Sequence, residues 1–302
     1  MTRHTRPRHT RLLFAALAAF LLLATAAACG SDEATDDTPE VTVEETPDFA
    51  AGTTMAKLAD AGTIKVGVKF DQPGLGSRSL ESDEPVGFDV EIAKLIAAQL
   101  GIGEDGIEYV ETVSANRESF IEKGTVDIVV ATYTINDERK KVVDFAGPYY
   151  IAGQDLLVAK DDDSINGPDD LAGKKVCAAT GSTPIERIRT DYPEAVPVEF
   201  DTYTECVDQL EAGQIDAVST DDIILAGYAA DPKYADMFRV VGETFSEEPY
   251  GVGLKLGDTD FRNFINDTLE ESFEDGAWAK AFDATLGQSG VEAPEPPAVD
   301  RY

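Results

Sequence analysis

Phe120-Ile121-Glu122-Lys123-Gly124-Thr125-Val126-Asp127 is echoed further along the chain by Leu210-Glu211-Ala212-Gly213-Gln214-Ile215-Asp216. Each segment reads as a helix end, a glycine stop and an aspartate that opens a strand. The neighbourhoods match as well. Ile64-Lys65-Val66-Gly67-Val68 has the composition of a buried strand, and Lys175-Val176-Cys177-Ala178-Ala179 is its counterpart. Gly-x-x-Asp before a strand is also ordinary turn chemistry, so the repeat is suggestive and no more by itself. Between the copies, strand-like and helix-like stretches alternate, which predicts an α/β fold. Phe88, Ile92, Leu95, Ile96 and Leu100 recur at helical spacing, with Asp89 and Glu91 placed to favour the macrodipole and Gly101 to end the helix. Val126 to Ala131 reads as a further apolar strand. Two copies of one α/β plan predict two similar lobes with a cleft between them.

Outside this core the chain changes character. Arg3, Arg6, Arg8 and Arg11 precede the apolar run Leu12 to Leu23, and Ala26-Ala27-Ala28 leads into Cys29. That order is an export signal, and its apolar part is short for a membrane span. Residues 1–28 are read as a lipoprotein signal peptide with Cys29 as the acylated residue, ordinary cleavage near Ala28 being the alternative. Residues 29–54 are rich in Asp, Glu, Thr and Pro and are expected to be a disordered tether. Residues 288–302 are expected to be a flexible tail.

Composition narrows the function. The 302-residue chain has a formal charge of −33, and loss of the four signal-peptide arginines makes it −37. Such a surface repels nucleic acid and anionic headgroups. Both histidines, His4 and His9, lie in the signal, so no His-based triad remains and the commonest zinc ligand is absent. Cys177 and Cys206 form an even pair in an exported chain and read as a disulfide, with two free buried thiols as the alternative.

Three segments then carry a resemblance. Gly87-Phe88-Asp89-Val90-Glu91-Ile92-Ala93 is close to a GFDxDxA helix start. Thr132-Tyr133-Thr134-Ile135-Asn136-Asp137-Glu138-Arg139, followed by Val143-Asp144-Phe145, is similar to a TxxxERxxxxDF signature. Ala179-Thr180-Gly181-Ser182-Thr183 is followed by Asp221 near the end of a second-lobe strand. Together they resemble the polar amino acid-binding family (family 3) of ABC transporter solute-binding proteins, over about residues 55 to 287. The resemblance implies a type II periplasmic-binding-protein-like fold. Lobe 1 is expected over 55–151 and 248–287, lobe 2 over 152–247, with two hinge crossovers near Ile151–Gly153 and Glu247–Pro249.

The chemistry of these residues suits a zwitterion. Arg139 can grip a carboxylate bidentately, which a lysine does not do with the same geometry. Thr132 and Thr134 at a strand end can add hydroxyl and backbone groups, and Ser182 and Thr183 read as a helix N-terminus offering free N–H groups. Asp221, rather than the adjoining Asp222, is expected to take the ammonium. Ser114-Ala115-Asn116-Arg117 resembles a segment of glutamate/aspartate binders that supplies a serine and an arginine to a side-chain carboxylate. Arg117 is therefore the first choice for a second cation, with Lys69 and Arg78 behind it. Taken alone, Arg117 also fits an exposed helix start.

The expected function is capture of an acidic amino acid, glutamate or possibly aspartate, by a monomeric lipid-anchored protein outside the cytoplasm. Its expected partners are the ligand, the membrane through its lipid, and ABC permease subunits with a separate ATPase. No nucleic acid, cofactor, metal or catalytic residue is expected. Alternatives are a binder of glutamine or another polar amino acid, a cyclohexadienyl dehydratase-like enzyme on the same fold, and a module reporting to a signalling partner.

Overall fold

The computed structural model describes residues 41–78, 84–234 and 236–302. The expected signal peptide, Cys29 and the first part of the expected tether lie outside these residues. The strands are β1 (Ile64–Val68), β2 (Asp71–Gln72), β3 (Gly76–Ser77), β4 (Ile107–Glu111), β5 (Ile128–Val129), β6 (Val143–Ala152), β7 (Gln154–Ala159), β8 (Lys175–Ala179), β9 (Val196–Phe200), β10 (Ala217–Asp221), β11 (Phe238–Val240) and β12 (Glu248–Lys255). The helices are α1 (Thr54–Ala61), α2 (Phe88–Gln99), α3 (Arg117–Glu122), α4 (Thr183–Asp191), α5 (Tyr203–Glu211), α6 (Asp222–Ala230), α7 (Thr259–Asp275) and α8 (Ala277–Ala284).

Two five-stranded mixed sheets result, ordered β4-β1-β5-β12-β6 and β11-β7-β10-β8-β9. The repeat seen in the sequence is also a repeat of hydrogen bonds. Gly124 and Gly213 both take left-handed backbone angles, φ 65° and 64°, to stop α3 and α5. After the first glycine, Asp127 donates its N–H to the Lys65 carbonyl (2.8 Å) and accepts the Lys65 N–H on its side chain (2.8 Å). Asp216 does the same to Lys175, at 2.9 and 2.7 Å. In each lobe, one aspartate thus ties a lysine at the start of the neighbouring parallel strand into the sheet. Within the predicted 126–131 strand, β5 covers Ile128 and Val129, with Asp127 and Val130 on either side donating to β1 (2.8 Å each), and Thr132 beyond it turns into a left-handed conformation, φ 42°.

The chain passes between sheets twice. β6 ends at Ala152 in the first sheet and β7 starts at Gln154 in the second, with Gly153 between them. The return runs from β11 to β12. The crossovers touch: Gln154 N–H donates to Ser246 Oγ (3.0 Å), Phe245 N–H donates to Gln154 O (2.9 Å), and a Cβ on Gly153 would lie 2.7 Å from Thr244 Cβ. Glycine at 153 is therefore a packing requirement.

The C-terminal helices close over the first sheet. Phe261, Ile265, Trp278 and Phe282 are buried, and Phe88 meets the Trp278 and Phe282 rings edge-on, both at 5.6 Å. Two expectations of disorder are corrected here. In the 41–53 stretch of the tether, Glu44 N–H donates to Ala98 O (3.0 Å) and the Phe49 ring stands edge-on to Phe264 (5.5 Å). The tail also docks: Asp300 N–H donates to Gly147 O (2.8 Å), Phe145 N–H to Tyr302 Oη (2.9 Å), and Arg301 pairs with Asp267 (2.6 Å) and Glu270 (2.5 Å). Low apolar content suggested looseness, yet one aromatic or one paired cation is enough to hold such a strand on a formed surface.

Cys177 in β8 and Cys206 in α5 are joined in a disulfide. The bridge closes a loop of 29 residues' separation and pins α5 to the sheet. Replacing both cysteines with alanine is expected to lower the unfolding free energy by about 3 kcal/mol, read as a lower urea midpoint with a somewhat steeper slope, because the released unfolded chain exposes more surface.

Candidate functional site

Three cations converge from the first lobe. α3 begins with Arg117, whose Nε donates to Ser114 O (3.3 Å) and whose Nη1 donates to the Ala131 and Thr132 carbonyls (3.1 Å each). Its guanidinium lies over the Tyr133 ring at 4.3 Å. Lys69, just past β1, is 2% exposed and donates to Ser114 Oγ (2.8 Å). Burial, then the Arg117 charge, bring the Lys69 ammonium down to about 7. Arg139 donates to Thr134 O (2.7 Å) and, across the cleft, to Gly181 O (3.2 Å), with Glu118 at 3.4 Å from its Nε. Burial and Arg117 also hold Arg139 low, at about 10.

The second lobe faces them with a helix start and a carboxylate. Ser182 caps α4 by accepting the Ile185 N–H (3.3 Å), as the sequence predicts. Thr183 Oγ1 donates to Glu248 (2.8 Å) and stands 3.4 Å from Thr134 Oγ1. Asp221 ends β10. One oxygen accepts the Tyr250 hydroxyl (2.6 Å), and Oδ1 is buried with no hydrogen-bond partner among the described residues. Burial, reinforced by Glu248, raises the Asp221 carboxyl to about 7. Asp222 points elsewhere and accepts the Gly153 N–H (3.2 Å) at the crossover.

These groups meet around a small cavity of about 10 Å³, lined by Ser114, Arg117, Thr132 and Thr134 from one side and by Ser182, Thr183, Pro184, Tyr203, Asp221 and Ile224 from the other. Arg139 lines the adjoining outer groove with Asn136, Glu138, Ser182, Thr183 and Arg187. Arg78 is not brought in: it is exposed and stacks on the Phe70 ring at 5.0 Å. Sequence reasoning missed Asp71, Glu248, Tyr203 and Tyr250. Asp71 crosses the cleft, its carboxylate accepting the Tyr203 N–H at the start of α5 (2.8 Å) and its carbonyl accepting from Thr204 Oγ1 (3.2 Å) and Tyr228 Oη (2.5 Å). An aspartate at a helix start is a recognisable signal, but only when both lie in one segment.

A two-lobed α/β fold, with a small polar cavity closed between the lobes and charges of both signs on its walls, defines a binding protein for small polar solutes. The sequence comparisons agree. The description "Bacterial extracellular solute-binding proteins, family 3" matches residues 64–288. The chain is 38% identical over 265 residues to the glutamate-binding protein GluB of Corynebacterium glutamicum, covering 84% of this chain and 89% of that protein. It is 41% identical over 240 residues to a glutamine-binding protein of Geobacillus stearothermophilus, covering 79% and 89%. A solved ancestral arginine-binding protein bound to glutamine superposes with a TM-score of 0.69 at 36% identity, covering 75% of this chain and 98% of that one. The chain belongs to the bacterial extracellular solute-binding proteins, family 3, and is a solute-binding protein rather than an enzyme.

The lobes approach closely at a glycine beside the cavity. A Cβ on Gly181, which sits at φ 75°, would lie 2.9 Å from the Ala115 Cα on the opposite lobe. Gly181→Val is expected to weaken solute binding at least tenfold, about 1.4 kcal/mol, and to reduce the solute-induced compaction seen by X-ray scattering.

Proposed function

We propose that this protein captures an acidic amino acid, glutamate or aspartate, outside the cytoplasm and delivers it to an ABC importer as a lipid-anchored receptor. The observation that carries the reading is the charge balance of the cleft. Lys69, Arg117 and Arg139 are buried together, while Asp221 keeps one carboxylate oxygen unpaired opposite them. A zwitterion with one further carboxylate complements that set, and an unpaired buried charge is costly. In this reading the α-carboxylate lies with Arg139, Thr134 and the Ser182–Thr183 start of α4. The ammonium meets Asp221. The side-chain carboxylate meets Arg117 and Lys69, with Ser114 and Thr132 completing the wall. The glutamate-binding relative supports this assignment, and the run from Ala26 into Cys29 supports the lipid anchor.

Glutamine is the second reading, because Lys69 is held near neutrality and a neutral amine can accept from an amide. The glutamine-binding relative favours it too. Calorimetry of the chain from residue 30 against glutamate, aspartate, glutamine, asparagine and arginine separates the two. Arg139→Ala is expected to abolish binding of all of them. Arg117→Ala is expected to weaken glutamate by at least thirtyfold, about 2 kcal/mol or more, and glutamine much less; equal losses would sink the acidic assignment.

The pH profile adds an independent check. Ammonium binding needs ionised Asp221, so affinity for every amino acid is expected to fall as pH drops below about 7. A side-chain carboxylate needs protonated Lys69, so affinity for glutamate is expected to fall again above about 7, whereas glutamine lacks this alkaline limb. Anchoring is tested by labelling cells with a fatty-acid analogue, expected to mark the wild-type chain and not Cys29→Ala.

A further inference from the structure

Asp89 is the second residue of α2, a position where an acidic side chain ordinarily serves the helix macrodipole from the surface. Here it is fully buried and turned inward. Its Oδ2 accepts the Thr132 N–H (2.9 Å), and its Oδ1 accepts the Tyr149 hydroxyl from β6 (2.7 Å). The charged and titratable groups facing it are Lys69 after β1, Arg117 on α3, Tyr149 on β6 and Tyr250 on β12. Burial raises its carboxyl to about 6, against the opposing pull of both hydrogen bonds and both cations.

Its partner Thr132 is held in an unusual state. At φ 42° it is a side-chain-bearing residue in the left-handed region, which is sparsely populated for such residues and persists only where surrounding contacts over-determine it. Every polar group of Thr132 is tied down: its N–H to Asp89, its hydroxyl to Gln72 Oε1 (3.1 Å), and its carbonyl to Arg117 Nη1. The left-handed turn brings the Ala131 and Thr132 carbonyls onto one guanidinium nitrogen. The direction of the Arg117 guanidinium therefore depends on the conformation of Thr132.

We propose that Asp89 is a positioning residue of the binding cleft: through Thr132 it aims Arg117 at the solute. Asp89 does not itself line the cavity. The proposal rests on the acidic amino acid reading for what Arg117 meets, but the geometry from Asp89 to Arg117 stands without it.

The test compares Asp89→Ala with Asp89→Asn in the chain from residue 30. An asparagine oxygen still accepts the Thr132 N–H, while its amide can donate to Tyr149 Oη, reversing the bond that the carboxylate accepts from that hydroxyl. Asp89→Ala is expected to raise the glutamate Kd by about tenfold or more, and Asp89→Asn to restore it to within about threefold. Nuclear magnetic resonance of the solute-free chain reads the same geometry directly. The Thr132 amide and Arg117 Nε–H resonances are expected to shift or broaden in Asp89→Ala and to persist in Asp89→Asn. A lower melting temperature in Asp89→Ala with the glutamate Kd and both resonances unchanged overturns the proposal, because burial alone then explains the residue. An asparagine variant as impaired as the alanine one also overturns it, in favour of a charge effect. Should Asp89→Ala fail to fold, Tyr149→Phe takes its place. It frees one side of the carboxylate and is expected to shift both resonances, and their constancy counts against positioning. Wild-type protein that binds neither glutamate nor glutamine overturns only the acidic amino acid reading, while the resonances still decide the role of Asp89.

Discussion

Three cations share one buried cleft, and their mutual repulsion is the constraint around which the rest is arranged. All three are buried, and after burial itself Arg117 lowers the tendency of Lys69 and of Arg139 to carry charge. The fold offsets this with partial charges aimed at the group. Carbonyls of Ser114, Ala131 and Thr132 accept from Arg117, and those of Thr134 and Gly181 accept from Arg139. The Tyr133 ring lies against both guanidinium groups, at 4.3 and 5.0 Å. The Asp89 carboxylate stands behind them. Preorganised dipoles of this kind hold cations in place, and full negative charge reaches them from Glu118 beside Arg139 (3.4 Å) and from Asp89.

Polar contacts cross between the lobes. Asp71 reaches the start of α5, Thr183 and Arg187 reach Glu248 (2.8 and 2.7 Å), and Tyr250 reaches Asp221. Such contacts suit a joint that opens, since water can replace each partner when the lobes part. Apolar burial is continuous as well: Leu75 and Phe88 of the first lobe and Tyr203 and Ile224 of the second belong to one buried cluster. Gly153 lets the strands pass closely at the first crossover.

Much of the fold was legible because its signals are local. The stop at Gly124 or Gly213 and the aspartate three residues on need only a few neighbouring residues to act, so the repeat could be read as two lobes. Ser182 as a cap and Phe88 to Gln99 as a helix were readable for the same reason. The cleft was legible in outline: Ser114, Arg117, Thr132, Thr134, Ser182, Thr183 and Asp221 do come together, with Lys69 and Arg139 beside them. The loosely drawn ends, 41–53 and the tail, were misread because composition reports the average of a segment and docking depends on single residues such as Phe49 and Tyr302.

The sequence by itself determined the alternation of elements, the doubled α/β plan, the acidic exterior and the residue types able to hold a zwitterion. Tertiary structure decided which of them face one another. Asp221 and Asp222 are adjacent, yet at a strand end successive side chains leave in different directions, one to the cavity and one to the crossover. Arg78 and Lys69 flank one loop, yet one stacks outside on Phe70 and the other is sealed against Ser114. Asp89 reads as a surface charge at a helix start, yet it is drawn inward by Thr132 and Tyr149 from two other segments. In each case the outcome is set by desolvation and by partners far away along the chain, and spacing along a single segment carries no record of either.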